Sequence, residues 1–136
     1  MPKPQLKNIE EHLQFLVGER NPFTESDHLK KIRLYITKQF ESFNLSVNQE
    51  AVDFENSRSF NIIGKRTGTQ STPFVLAAHY DTKPGTPGAD DNASAVAALL
   101  EIARCLADHT FHTPIIFSAF TLEEYGVIGS RHFIER

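Results

Sequence analysis

Residues 74–82, FVLAAHYDT, decide how this chain is read. An unbroken apolar run that turns polar at His79 is the pattern of a strand buried at the centre of a sheet, with its C-terminal end opening into a loop. The loop KPGTPG follows, and Asp91 or Asn92 is expected to cap a helix running to about Asp108. Ala93, Val96, Ala97, Leu100, Ala103 and Ala107 recur on the inward face of that helix, while Glu101, Arg104 and Asp108 are expected on its outside. PIIFSAFT, from Pro114, is a second apolar strand, and Glu123 and Glu124 lie just past its end. Strand, helix and strand make a parallel βαβ unit. Such crossovers are right-handed, and ligands of open α/β sheets bind beyond the carboxyl ends of the strands.

Upstream of this unit, Leu6, Ile9, Leu13 and Leu16 trace one stripe of a short helix that ends near Gly18. Ser26 is expected to cap a second helix, whose Leu29, Ile32, Ile36, Phe40 and Phe43 form a buried face reaching to about Asn44. Residues 46–54 and 59–65 are short, rich in β-branched and aromatic side chains, and separated by polar residues, as in an antiparallel hairpin. One domain is therefore expected over 1–136: a helical lead-in, 1–45, and a sheet that carries the polar motifs, 46–136.

Composition narrows the function. Hydrophobic residues make up 40% of the 136 positions and charged residues 23%, which suits an ordinary globular domain. Seventeen acidic against 14 basic residues give a net charge of −3 with no basic cluster, so nucleic acid is excluded as an expected partner. No apolar stretch approaches the roughly 18 residues that span a bilayer, and no signal peptide is visible, so no membrane partner and a cytoplasmic location are expected. Cys105 is the only cysteine, which rules out an internal disulfide and a thiolate zinc site; it reads as a small buried hydrophobe.

Three distant segments then converge on one rim: His79 with Asp81, the pair Asp90–Asp91, and the pair Glu123–Glu124. Five carboxylates gathered around one imidazole repel one another in a small space unless some are protonated or a cation joins them, and mixed imidazole and carboxylate ligands suit zinc. Either acidic pair could instead start a helix, which explains one member of each pair but not both. On residue types alone, Glu123 and Glu124 cannot be told apart in role. His109 and His112 precede the second strand and belong to the opposite sheet edge; His132 reads as an ordinary helix histidine, and His12 and His28 as surface residues.

HYDT (79–82), PGADDNASA (87–95) and LEEYGVIGS (122–130) resemble the motifs of the co-catalytic zinc aminopeptidases of clan MH, which include leucine aminopeptidases and relatives such as glutamate carboxypeptidase and glutaminyl cyclase. The resemblance runs from about Asn61 to Ser130. It implies an α/β fold, a three-layer sandwich with a mixed, mainly parallel central sheet flanked by helices. It implies that His79 is a ligand of a first zinc, Asp90 bridges two zinc ions and Glu124 is a ligand of the second. It makes Asp81 the support of His79 and Glu123 the general base that takes a proton from water and passes it to the leaving amine. A cis peptide at Asp90–Asp91 is expected with it. The family's ligand set also includes an Asp and a His further downstream, so the chain is expected to be the N-terminal portion of a catalytic domain, binding zinc weakly or not at all and inactive alone. The full-length protein is expected to hold two Zn2+ and release N-terminal amino acids from peptide substrates. The alternatives are a non-catalytic binding domain on the same fold, or a related carboxypeptidase or glutaminyl cyclase. Self-association through exposed sheet edges is a further expectation.

Overall fold

A computed structural model describes residues 1–136. Its elements are α1 (Leu6–Leu16), α2 (Ser26–Ser42), β1 (Ser46–Phe54), β2 (Ser57–Arg66), β3 (Phe74–His79), α3 (Ser94–Cys105), β4 (Ile115–Phe120) and α4 (Ile128–Glu135). β1 and β2 form the expected hairpin, with Phe54 opposite Ser57. β2 pairs antiparallel with β4, and β3 pairs parallel with β4, so the mixed sheet runs β1-β2-β4-β3.

Side chains alternate across a strand, so Ile62, Ala78, Phe117 and Ala119 fall on one face. There they meet Leu16 of α1, Leu29, Ile32, Ile36 and Phe40 of α2, and Val96, Ala97 and Leu100 of α3. Ile32, Ile36, Phe40, Leu100 and Phe117 are fully buried, and each contributes roughly 1.5–3 kcal/mol by leaving water. The opposite face receives α4, where Phe120 packs against Phe133 at 5.4 Å. Helices thus flank a mixed sheet on both sides, the expected α/β layering, but within these residues two of the three strand pairings are antiparallel and only β3 with β4 is parallel, so the sheet here is not mainly parallel.

Several local expectations are corrected. Within these 136 residues β3 lies at the sheet edge, not its centre, with Phe74 58% and Val75 41% exposed. A continuous apolar run reports what the strand faces, not whether a neighbour bonds to each of its edges. Ser26 begins α2 without a side-chain capping bond, the capping position being Glu25. At the other end Asn44 adopts φ 59° and Leu45 N–H reaches back to Phe40 O (3.2 Å), which closes the helix with a left-handed residue. Asp91 and Asn92 do not cap α3. They sit in an irregular turn, Ala89–Ala93, with non-helical dihedrals, and α3 starts at Ser94.

Glu101 is buried rather than outward. Its carboxylate takes Gln5 N–H (2.7 Å), Asn8 Nδ2 (3.2 Å) and the Arg104 guanidinium (2.7 Å), which ties the start of α1 to α3. His12 is buried as well, at 2.6 Å from Tyr35 Oη, because α1 turns it into the cleft against α2; burial lowers its pKa.

Candidate metal centre

The parallel pairing of β3 with β4 sets the site. Tyr80 N–H bonds Phe120 O (2.9 Å), so both strands end at the same level and release His79–Asp81 and Leu122–Glu124 side by side. β4 then enters a tight turn, Glu123–Tyr125, flanked by Leu122 (φ 56°) and Val127 (φ 54°). Left-handed backbone at non-glycine residues costs about 1–2 kcal/mol each, so tertiary contacts must hold this turn. Asp81 supplies one such contact. Fully buried, its Oδ1 accepts Glu123 N–H (3.1 Å) and its Oδ2 accepts Glu124 N–H (3.2 Å). Asn61 supplies another, accepting Thr121 N–H (3.1 Å) and donating to Gly129 O (2.8 Å).

The rim holds His79 at its centre. His79 Nδ1 lies 3.2 Å from Asp81 O and 3.4 Å from Asp81 Oδ1, which fixes the ring from behind. His79 Nε2 faces Asp91 Oδ1 at 3.0 Å and Glu123 Oε2 at 3.6 Å. Donor atoms of His79, Glu123 and Glu124 lie within 4.8 Å of one another. The structure therefore brings together His79, Asp81, Glu123 and Glu124.

Asp90 is the exception. It is exposed, its carboxylate makes no ion pair or hydrogen bond, and its carbonyl accepts Ser94 Oγ (2.8 Å); the neighbour Asp91 faces the imidazole instead. The cis peptide is likewise found at Asp91–Asn92, one residue later than expected. The cause is the irregular turn: Asp91 (φ −109°, ψ 90°) and Asn92 (φ −138°, ψ 34°) turn the chain so that the second carboxylate looks inward.

Electrostatics follow from the crowding. Burial would lower the pKa of His79, but the hydrogen bond and charge of Asp81, with Glu123 and Asp91, raise it overall. Burial raises the pKa of Glu124, and the negative charge of Asp91 adds to the rise against the opposing Lys83 ammonium at 3.7 Å. An imidazole among several carboxylates at these separations is a donor set that suits a divalent ion of zinc type.

Sequence reasoning placed Asp91 on the rim but gave the ligand role to Asp90, and it missed two supports of the rim altogether, Asn61 and Arg20. Arg20 is 1% exposed, in the loop between α1 and α2. Burial lowers its guanidinium to about 10, against the pull of Asp81 and Asp91. Hydropathy could not flag it, since a buried arginine breaks every burial rule until its partners are known.

A mixed α/β sheet with imidazole and carboxylates gathered at its strand ends is the architecture of a metallopeptidase. The chain belongs to peptidase family M28, whose model matches residues 61–136. Aminopeptidase YwaD of Bacillus subtilis strain 168 is 41% identical over 85 residues, which cover 60% of this chain and 19% of that protein. A Bacteroides vulgatus protein assigned as a Zn-dependent exopeptidase superposes with a TM-score of 0.78 at 28% identity, covering 97% of this chain and 54% of that one. The glutaminyl cyclase of Porphyromonas gingivalis also gives 0.78, at 26% identity over 93% of this chain and 50% of its own. The chain spans about a fifth of the length of the curated relatives it matches, and about half that of these two structures.

Proposed function

We propose that this protein is a zinc-dependent aminopeptidase, hydrolysing peptide bonds to release N-terminal amino acids. The observation that carries the reading is the placement of His79 Nε2 against Asp91 (3.0 Å) and Glu123 (3.6 Å), with Glu124 completing the donor cluster. His79, Asp91 and Glu124 would hold zinc, with Asp91 taking the place that the sequence resemblance gives to Asp90. Zinc bound there supplies Lewis acidity toward the scissile carbonyl and toward water.

The protein's own residues do the rest. Asp81 fixes the ring of His79 and, through two backbone bonds, the direction of both glutamates. Glu123 holds the proton taken from water at its carboxylate and returns it to the leaving amine. The expected outcome of Glu123→Gln, assayed with peptide amides on a polypeptide of the relatives' length, is loss of turnover with zinc retained by metal analysis. Turnover surviving in that variant would remove Glu123 from the role of base.

A second reading has support in the equal likeness to the Porphyromonas gingivalis glutaminyl cyclase. Offering peptides with N-terminal glutamine separates the two: release of the residue supports the peptidase, and its ring closure with the peptide intact supports the cyclase.

A further inference from the structure

We infer that Arg20, which lies outside the stretch that matches the family, is the positioning residue that clamps the two halves of the metal-site loop, residues 80–91, into register. The inference rests on the reading of the rim as a zinc site. The guanidinium is buried and has no hydrogen-bonded carboxylate; its three nitrogens reach five backbone carbonyls. Nε donates to Tyr80 O (2.8 Å), the residue between His79 and Asp81. Nη2 donates to Gly88 O (2.9 Å) and Nη1 to Pro87 O (3.1 Å), just ahead of Asp91. Nη1 is shared with Leu16 O and Gly18 O (2.7 Å each), which anchors the fork to the end of α1. The backbone repeats the link: Arg20 N–H donates to Thr82 Oγ1 (2.9 Å) and Thr82 N–H to Arg20 O (2.8 Å).

Only a planar fork of donors can serve carbonyls on opposite sides at once, which an ammonium point charge cannot do. The fit is close. A Cβ on Gly88, itself at φ 57°, would stand 2.7 Å from Arg20 Nη2 and 2.3 Å from Thr82 Cγ2, so this position is reserved for the guanidinium to approach the backbone. His79 and Asp91 leave the chain at either end of a loop that has no strand or regular helix of its own between His79 and Ala89. Their 3.0 Å approach therefore depends on what holds Tyr80 and Gly88 together, and the side chain that bonds both is Arg20.

The test compares Arg20→Met and Arg20→Lys with Arg66→Met as control. Arg66 also donates to carbonyls, Phe43 O (2.9 Å) and His109 O (3.4 Å), but at the far end of the sheet. Three readouts are taken on a polypeptide of the relatives' length: zinc affinity by competition, the visible spectrum of the cobalt(II) form, and amide 1H–15N shifts of Thr82, Gly88 and Asp91 without metal. Arg20→Met is expected to weaken zinc binding by about ten- to a hundredfold and Arg20→Lys by less, both shifting the spectrum and the loop amides, while Arg66→Met stays within about twofold. A general loss of stability would lower the melting temperature in all three variants but would leave the cobalt spectrum of the folded protein unchanged. If circular dichroism shows Arg20→Met unfolded, Arg20→Lys decides. A folded Arg20 variant with wild-type affinity, spectrum and loop shifts overturns the inference. Wild-type polypeptide of the relatives' length that takes up neither zinc nor cobalt would instead sink the metal reading of the rim, and the metal-free amide shifts would still decide the role of Arg20.

Discussion

Between Asp90 and Asp91 one residue of register separates a carboxylate that faces the His79 ring from a solvated surface charge. Both are exposed aspartates in the same turn, and the motif PGADDNASA shows them as equals. What distinguishes them is backbone geometry at Asp91 and Asn92, which neither propensity nor periodicity encodes. On a polypeptide of the relatives' length, Asp91→Asn is expected to weaken zinc binding by about tenfold or more, whereas Asp90→Asn leaves it nearly unchanged, each measured by calorimetric titration. Equal losses in the two variants would mean that the 3.0 Å contact with His79 does not define the ligand set. His79, Asp81, Glu123 and Glu124 were legible because each follows directly on a strand that the hydropathy pattern already located. Arg20 and Asn61 were not, since each acts by bonding backbone atoms far away in sequence, Tyr80 in the one case and Thr121 in the other.

At the scale of elements, the join between α1 and α3 makes a pH-dependent contribution to stability. Hydrogen bonds from Arg104 hold the Glu101 pKa down to about 2; burial opposes this, and Gln5 N–H and Asn8 reinforce it. A carboxyl whose folded pKa lies below its unfolded value stabilises the fold at pH above the unfolded value, about 4.5, and loses that contribution as pH falls toward 2. The contribution is on the order of 2 kcal/mol once solvent screening at the Arg104 side is allowed for. Denaturant midpoints taken from pH 6 down to pH 3 should fall less steeply in Glu101→Gln than in the wild type, and parallel curves would show the pair to be neutral. Periodicity located this helix well: Val96, Ala97, Leu100 and Ala103 are all buried as expected. It misplaced Glu101 because a 3.6-residue period describes a stripe, while α1 laid alongside α3 covers a second face. The hairpin β1–β2 was read correctly for a local reason, since its two-residue turn and alternating strands are contiguous in sequence.

Over the whole molecule the two sheet edges differ in chemistry. β1 carries Asn48, Gln49, Glu50 and Asp53 along its length, and charged or polar side chains discourage a second strand from pairing there. β3, at the other edge, reads FVLAAH and has no charged residue before His79. Phe74 and Val75 are 58% and 41% exposed beside an unpaired row of backbone donors and acceptors. Such an edge recruits another strand, and a second copy of the chain presents the same one. For the 136-residue chain by itself, which covers about half the length of the similar structures, reversible self-association through β3 is therefore expected. Val75→Lys places an ammonium on the exposed strand without touching Ala78, the β3 residue buried against the helices. Sedimentation velocity should show the wild type gaining mass with concentration and Val75→Lys remaining a monomer. Association undiminished by the lysine would move the contact away from β3, and a wild type that stays monomeric throughout would show that twist and the neighbouring loops already protect the edge.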